Sequence, residues 1–310
     1  MAAVLIRSGR EPVENWVSVF NEVLPDLECR IWPDVGDRAD IEVVIANELP
    51  EGEFATFPNL RLVAGTRVGL EGLLRDKSLP SHIPILRNTD RERAATMTGW
   101  VLYHVIRHHR HFEEYVVNQR SRTWEHLKYR PPDQTRIGVM GMGNLGTTVA
   151  RALCGLMYRV AGWSRTRKDL PGIESFAGPE ELESFLARSE ILISILPRTP
   201  ETENVLDAAR FAMLPRGAYV INCGRGTTLD EDALLAALDS GHLSGAALDV
   251  FKVEPLPQDS PLWNHPKVAL TPHYSCSGRA VFGAEGIVDA IRKLRRGEAL
   301  SGTVDRSQGY

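Results

Sequence analysis

Arg136-Ile137-Gly138-Val139-Met140-Gly141-Met142-Gly143-Asn144-Leu145-Gly146 decides how this chain is read. The first five residues form an apolar, strand-like run, and the glycine cluster leads straight into a helical stretch over 147–156. A G-x-G-x-x-G in that setting has a reason at each glycine: a tight turn at 141, close approach of a pyrophosphate to the backbone at 143, and close helix packing at 146. The N–H groups at the helix start would then bind the diphosphate. Three glycines alone would fit an ordinary turn. The strand before, the helix after and a further strand ending at Trp163 supply the context of a dinucleotide site, with Gly141, Met142, Gly143, Asn144, Leu145 and Gly146 as its contacts.

An acidic residue about twenty positions on would bind the ribose 2′-hydroxyl and favour NAD. Here position 164 is a serine, in Trp163-Ser164-Arg165-Thr166-Arg167-Lys168. A carboxylate would repel a 2′-phosphate, whereas a serine followed by cations attracts one. This predicts NADP(H) as the preferred cofactor, NAD(H) as the alternative, and Ser164, Arg165, Thr166 and Lys168 as contacts. The competing reading is a solvated cationic loop.

Outward from this segment, apolar strand candidates recur at 160–163, 191–196, 218–222, 245–250 and 268–271, which suits an open doubly wound parallel sheet. Upstream, short strand-like runs at 3–6, 43–46 and 60–64 alternate with helical stretches such as 13–24, the pattern of a second β/α unit. A stretch over 94–122 reads as one long helix bridging the two units, and 278–296 reads as a last helix ending in basic residues that favour its dipole. The expected domains are a substrate domain of 1–98 plus 279–310 and a cofactor domain of 99–278. Two crossings of the chain imply a hinge able to close over reactants.

Composition excludes several classes. The 310 residues, 43% hydrophobic and 25% charged, describe a globular chain with room for two domains. The net charge of −4 lacks the positive field of a nonspecific nucleic-acid binder. No stretch approaches the ~20 apolar residues of a membrane span, and the apolar run before Arg7 is too short for a signal-peptide core. Four widely spaced cysteines form no C-x-x-C pair, which suits reduced thiols in a cytoplasm. His104, His108 and His111, with His109, have spacing that would permit a metal on one helix face, but Arg107 and Arg110 would repel a cation. Solvated or interface histidines, and no metal, are expected.

Three further motifs sit near strand ends: Asn222-Cys223-Gly224-Arg225-Gly226, Asp249-Val250-Phe251-Lys252-Val253-Glu254-Pro255 and Thr271-Pro272-His273. Together they supply a cation, a carboxylate and an imidazole where ligands bind in open α/β sheets. In this order, and with Leu214-Pro215-Arg216-Gly217 and Asp230, they make the chain resemble the D-isomer-specific 2-hydroxyacid dehydrogenase family over essentially its whole length. Trp163-Ser164-Arg165 and the length bring it nearest the glyoxylate/hydroxypyruvate reductase A branch. The resemblance implies a Rossmann cofactor domain, a smaller flavodoxin-like α/β substrate domain and a homodimer.

It also implies roles. Hydride delivery to a 2-oxoacid leaves negative charge on the carbonyl oxygen, so His273 would be the general acid. Glu254 would hold its other ring N–H, and Arg225 would grip the carboxylate while polarising the carbonyl. Implied cofactor contacts are Leu196, Pro197 and Thr202 on the adenosine side, Cys223 and Gly224 under the nicotinamide ribose, Asp249 as acceptor from the carboxamide, and Arg225, His273 and Ser275. Hydride transfer needs no covalent nucleophile, so Cys223 is not expected to be one. The family's carboxylate-binding loop matches Thr66-Arg67-Val68-Gly69-Leu70, with backbone donors at Val68 and Gly69; Arg67 either adds charge or faces solvent. This loop and Tyr274-Ser275 depart from the branch's usual residues. The rival readings are a dinucleotide-sensing corepressor and an NAD-linked D-lactate or 3-phosphoglycerate dehydrogenase.

Overall fold

The computed structural model describes residues 3–9, 11–88 and 90–306; Met1, Ala2 and residues 307–310, which the expected substrate domain includes, lie outside them, as do Arg10 and Thr89. The chain divides into two compact units, Met1–Arg93 with Gly278–Tyr310, and Ala94–Ser277.

The first unit is a parallel sheet of β1 (Ala3–Ile6), β2 (Glu28–Ile31), β3 (Ile41–Ile45), β4 (Leu62–Ala64) and β5 (Ile85–Leu86), in the order β2-β1-β3-β4-β5. That is the flavodoxin order. Val4, Ile6, Val43 and Ile45 pack on one face with Trp16 and Phe20 of α1 (Val13–Val23). Ala3, Leu5 and Val44 pack on the other with Phe54 and Leu73, the latter from α2 (Glu71–Arg75). Both faces are covered, so the central strands read as continuous apolar runs. β2 and β5 were not expected from sequence: β2 is a half-exposed edge strand and β5 has two residues, so neither carries a clear pattern.

The second unit begins along α3 (Arg91–His109), followed by α4 (Phe112–Ser121). The single long helix expected over 94–122 is therefore two. His111 breaks it with φ 56°, a left-handed backbone that ends the first helix.

Seven parallel strands follow: β6 (Arg136–Met140), β7 (Arg159–Ser164), β8 (Glu174–Ala177), β9 (Ile191–Ser194), β10 (Ala218–Asn222), β11 (Leu243–Leu248) and β12 (Val268–Leu270), in the order β12-β11-β10-β9-β6-β7-β8. This is the doubly wound Rossmann order with one strand added, and its switch point lies between β6 and β9. Edge strand β8, with no buried residue, escaped the sequence pattern. Helices α5 (Asn144–Gly155), α6 (Leu182–Arg188), α7 (Ala208–Met213) and α8 (Glu231–Asp239) connect the strands.

The last helix, α9 (Ala280–Arg296), returns to the first unit. It buries Ala280, Ala284, Ile287, Val288 and Ile291 at helical spacing against α1. Its basic end is occupied: Arg295 pairs with Asp26 at 2.8 Å and Lys293 with Asp289 at 2.8 Å. No helix among the described residues is long and apolar enough to cross a membrane.

Candidate active site

Every motif of the second unit lies beyond the C-terminal end of a strand of one parallel sheet: the glycine loop after β6, Ser164 at the end of β7, Leu196 after β9, Cys223 and Arg225 after β10, Asp249 after β11 and His273 after β12. Each glycine of the loop serves a separate purpose. Gly141 has φ 97°, and a Cβ there would stand 2.8 Å from the Ile195 carbonyl oxygen. At Gly146 a Cβ would come within 1.9 Å of the Gly141 carbonyl oxygen. At Gly143 a Cβ would meet nothing within 4 Å, which leaves the start of α5 open to a ligand. A diphosphate fits this cradle: close backbone, a helix N-terminus and no side chain in the way.

Beside it, Ser164 Oγ donates to the Thr166 carbonyl at 2.8 Å and Trp163 Nε1 to the Gly178 carbonyl at 2.8 Å, fixing the turn that presents Arg165, Thr166 and Lys168 to solvent. Arg167 is drawn aside into an ion pair with Glu181. On the other side of the switch point, Thr202 Oγ1 donates to the Pro197 carbonyl at 2.7 Å and closes the 197–202 turn, while Leu196 is buried. Gly224 packs against Leu196, where a Cβ would approach its carbonyl oxygen to 2.6 Å.

The catalytic candidates share this edge. His273 Nδ1 and Glu254 Oε2 are 2.7 Å apart, and Glu254 Oε1 accepts from the Phe251 amide at 3.0 Å. The carboxylate is thus anchored before it holds the ring, and a carboxylate at Nδ1 selects the Nδ1–H form of the imidazole. Both side chains are about one-third exposed, open enough for a substrate to reach. Arg225 sits in the turn after β10 with Nη1 donating to the Gly224 carbonyl at 2.7 Å, and Asn222 Nδ2 donates to the Arg225 carbonyl at 3.2 Å.

His273 has φ 53°, a left-handed conformation held by its amide donating to the carbonyls of Asp249, at 2.8 Å, and Thr271, at 3.0 Å. Asp249 is fully buried. Its Oδ1 accepts from Thr271 Oγ1 at 2.5 Å and the Tyr274 amide at 2.8 Å, and its Oδ2 from the Ser275 amide at 2.9 Å. This carboxylate ties down the turn that carries the imidazole. Trp100, on α3, extends the chain of bonds by donating from Nε1 to Thr271 Oγ1 at 3.1 Å. Sequence reasoning missed Trp100, and it quoted Thr271 in a motif without a role for it, because nothing in the order of residues signals contacts across so many positions. Cys223, just after β10, is buried with its thiol donating to the Ser194 carbonyl at 3.8 Å, and burial raises its pKa well above the ordinary value. A protonated thiol is no nucleophile.

In the first unit, Thr66, Arg67, Val68 and Gly69 form the turn after β4, with Thr66 buried and Arg67 exposed. The histidines of α3 do not behave as solvated groups. His104 and His109 are buried, and His108 stacks on Tyr219 with ring centroids 4.2 Å apart. Burial, the larger cause in both, pushes His104 and His108 down to about 4. His109 bonds the Tyr158 hydroxyl at 2.8 Å and the Arg130 carbonyl at 2.6 Å. The face they were expected to share with His111 ends at the helix break. Among the described residues no group of three or more His, Cys, Asp or Glu could hold a metal.

Comparison with known proteins agrees with this geometry. The family model for the D-isomer specific 2-hydroxyacid dehydrogenase NAD binding domain matches residues 102–275. Among solved structures, a D-isomer specific 2-hydroxyacid dehydrogenase from Xanthobacter autotrophicus Py2, in complex with NADPH and MES, is 39% identical at a TM-score of 0.95, covering 100% of this chain and 99% of that one. A probable 2-hydroxyacid dehydrogenase from Rhizobium etli CFN 42, in complex with NADP, HEPES and L(+)-tartaric acid, is 32% identical at 0.91, covering 100% and 99%. An NADPH-dependent glyoxylate/hydroxypyruvate reductase from Sinorhizobium meliloti, in complex with NADP and sulfate, is 30% identical at 0.92, covering 100% of both chains. With a glycine cradle, a held imidazole and an arginine on one sheet edge, and with relatives similar over the full length, the chain belongs to the D-isomer-specific 2-hydroxyacid dehydrogenase family.

Proposed function

We propose that this protein reduces a small 2-oxoacid, such as glyoxylate or hydroxypyruvate, to the D-2-hydroxyacid, with NADPH preferred over NADH. The observation that carries the reading is the Glu254–His273 pair at 2.7 Å, on the sheet edge that also bears Arg225 and the glycine cradle. A dinucleotide held by the glycine loop at the start of α5 would supply the hydride for the carbonyl carbon. His273 releases a proton from Nε2 to the carbonyl oxygen as negative charge develops there, while Glu254 keeps the ring in place. Arg225 offers a planar fork that polarises the carbonyl oxygen and can pair with a carboxylate. A pure dinucleotide sensor has no need for these three groups.

The cofactor preference is supported by Ser164 and the exposed cation Arg165, and by the NADP and NADPH complexes of the relatives. A homodimer is part of the same reading, supported by exposed apolar side chains on α4 and just after it: Phe112, Val116, Val117 and Trp124, the last 93% exposed.

The test is a panel of initial rates with glyoxylate, hydroxypyruvate, pyruvate and phenylpyruvate, using NADPH and NADH, on wild type, His273→Ala and Arg165→Ala. We expect kcat/KM to favour NADPH by about tenfold or more, Arg165→Ala to erase most of that ratio, and His273→Ala to lower kcat by about 100- to 10,000-fold. Absence of turnover with every 2-oxoacid would sink the reductase reading. Unchanged rates in His273→Ala would remove the imidazole from it.

A further inference from the structure

We propose that Asn47 is a positioning residue for the substrate: it fixes the turn over 65–69 so that the amides of Val68 and Gly69 stand as a pair of donors for a carboxylate. This rests on the 2-oxoacid reading above. Asn47 lies just past the C-terminal end of β3, half-buried, beside the turn that follows the neighbouring strand β4.

An asparagine side chain has one oxygen that accepts and one nitrogen that donates, so it can bind both ends of a turn at once. Asn47 Oδ1 accepts from the Thr66 amide at 2.7 Å, Thr66 Oγ1 at 2.9 Å and the Arg67 amide at 3.2 Å. Its Nδ2 donates to the Gly69 carbonyl at 3.3 Å.

Two guanidinium groups hold two further carbonyls of the turn. Arg93 Nη2 donates to Thr66 O at 2.9 Å, with Arg93 itself paired to Asp90, and Arg87 Nη1 donates to Val68 O at 2.6 Å.

A trans peptide points its C=O and N–H in opposite directions. With the Val68 carbonyl turned toward Arg87, the Gly69 amide of the same peptide plane faces away from it. Among the described residues neither the Val68 nor the Gly69 amide has a hydrogen-bond acceptor. Two successive amides without acceptors make a concavity that favours an anion. A planar carboxylate matches two adjacent donors, and the nearby cations Arg67, Arg87 and Arg93 favour its charge. Asn47 contributes no donor to the ligand itself; it sets the direction of the donors that do.

The experiment uses the full chain. Asn47→Ala and Asn47→Asp are compared with wild type for kcat, KM for glyoxylate and KM for NADPH, and for the calorimetric Kd of oxalate with NADP bound. We expect Asn47→Ala to raise the glyoxylate KM and the oxalate Kd by about tenfold, with kcat and the NADPH KM within about twofold.

Asn47→Asp keeps the acceptor but turns the donor facing Gly69 O into a second oxygen, and should raise both constants at least as far. It is the variant to read if the alanine protein does not fold. Unchanged constants in a folded variant, or equal losses in kcat and in both KM values, would overturn the positioning role. Oxalate binding that weakens in the variants of a protein that turns over no 2-oxoacid would support Asn47 while removing the reductase reading.

Discussion

The turn after β6 and the turn after β4 occupy equivalent places in two parallel sheets, just past a strand's C-terminal end, yet they are held in opposite ways. The first is shaped by missing side chains: Gly141 supplies a positive φ, and Gly146 lets the helix start approach a carbonyl oxygen where a Cβ would lie 1.9 Å away. The second is shaped by side chains reaching in, with Asn47, Arg87 and Arg93 holding the carbonyls of residues 66, 68 and 69. A turn set by backbone geometry leaves a local mark in the sequence. A turn set by distant side chains leaves almost none.

The difference can be broken by adding one methyl group to each turn. Gly146→Ala puts a Cβ against backbone that cannot move aside, so we expect a loss of about 3 to 5 kcal/mol of stability and NADPH binding weakened by 100-fold or more. Gly65→Ala meets mainly the end of the Leu70 side chain, at 2.3 Å, with the Arg67 carbonyl oxygen at 3.0 Å. A flexible neighbour can shift, and a loss of about 1 kcal/mol is expected. Thermal denaturation with and without NADPH compares the two. Equal losses would show that the two turns are not held differently.

The second unit also relies on one side chain, at the turn bearing His273, and Asp249→Asn sharpens the comparison there. An amide at 249 cannot accept on both ends, so either the Ser275 amide or the pair from Thr271 and Tyr274 would face an N–H. We expect kcat to fall by about ten- to 100-fold with a stability loss of about 1 to 3 kcal/mol. Wild-type kcat in a folded Asp249→Asn protein would mean that the turn presents His273 without this carboxylate.

The smallest effect separates the units by acid sensitivity. Only His82 of the nine histidines belongs to the first unit. In the second, His104 and His108 are held neutral by burial, down at about 4. An unfolded histidine takes up a proton near pH 6.5, so between about 6.5 and 4 the unfolded state binds more protons than the folded one. Stability is present above that window and is lost as pH falls through it, by up to about 1.4 kcal/mol per pH unit for each group. A Tm series from pH 7 to 4.5 should slope downward, and His108→Phe, which keeps a ring over Tyr219, should flatten it. An unchanged slope in that variant would refute the contribution of His108.

Much of the fold was legible because buried parallel strands must be apolar on both faces. The runs at 3–6, 136–140 and 218–222 coincide with β1, β6 and β10. Edge strands β2 and β8 were not, since an edge buries little and its residues are mixed. The break at His111 was missed because a left-handed residue need not be glycine, and histidine gives no warning of it.

By itself the sequence determined two β/α units, the dinucleotide cradle and the order in which Arg225, Glu254 and His273 follow their strands, because glycine geometry and apolar periodicity act over a few residues. Only the tertiary structure decided that Asp249 and Trp100 fix the turn bearing His273, that Asn47 fixes the turn bearing Val68, and that the α3 histidines are buried. Those contacts join residues far apart in the chain, where hydrogen-bond direction and burial are settled by packing and no local pattern records the partner.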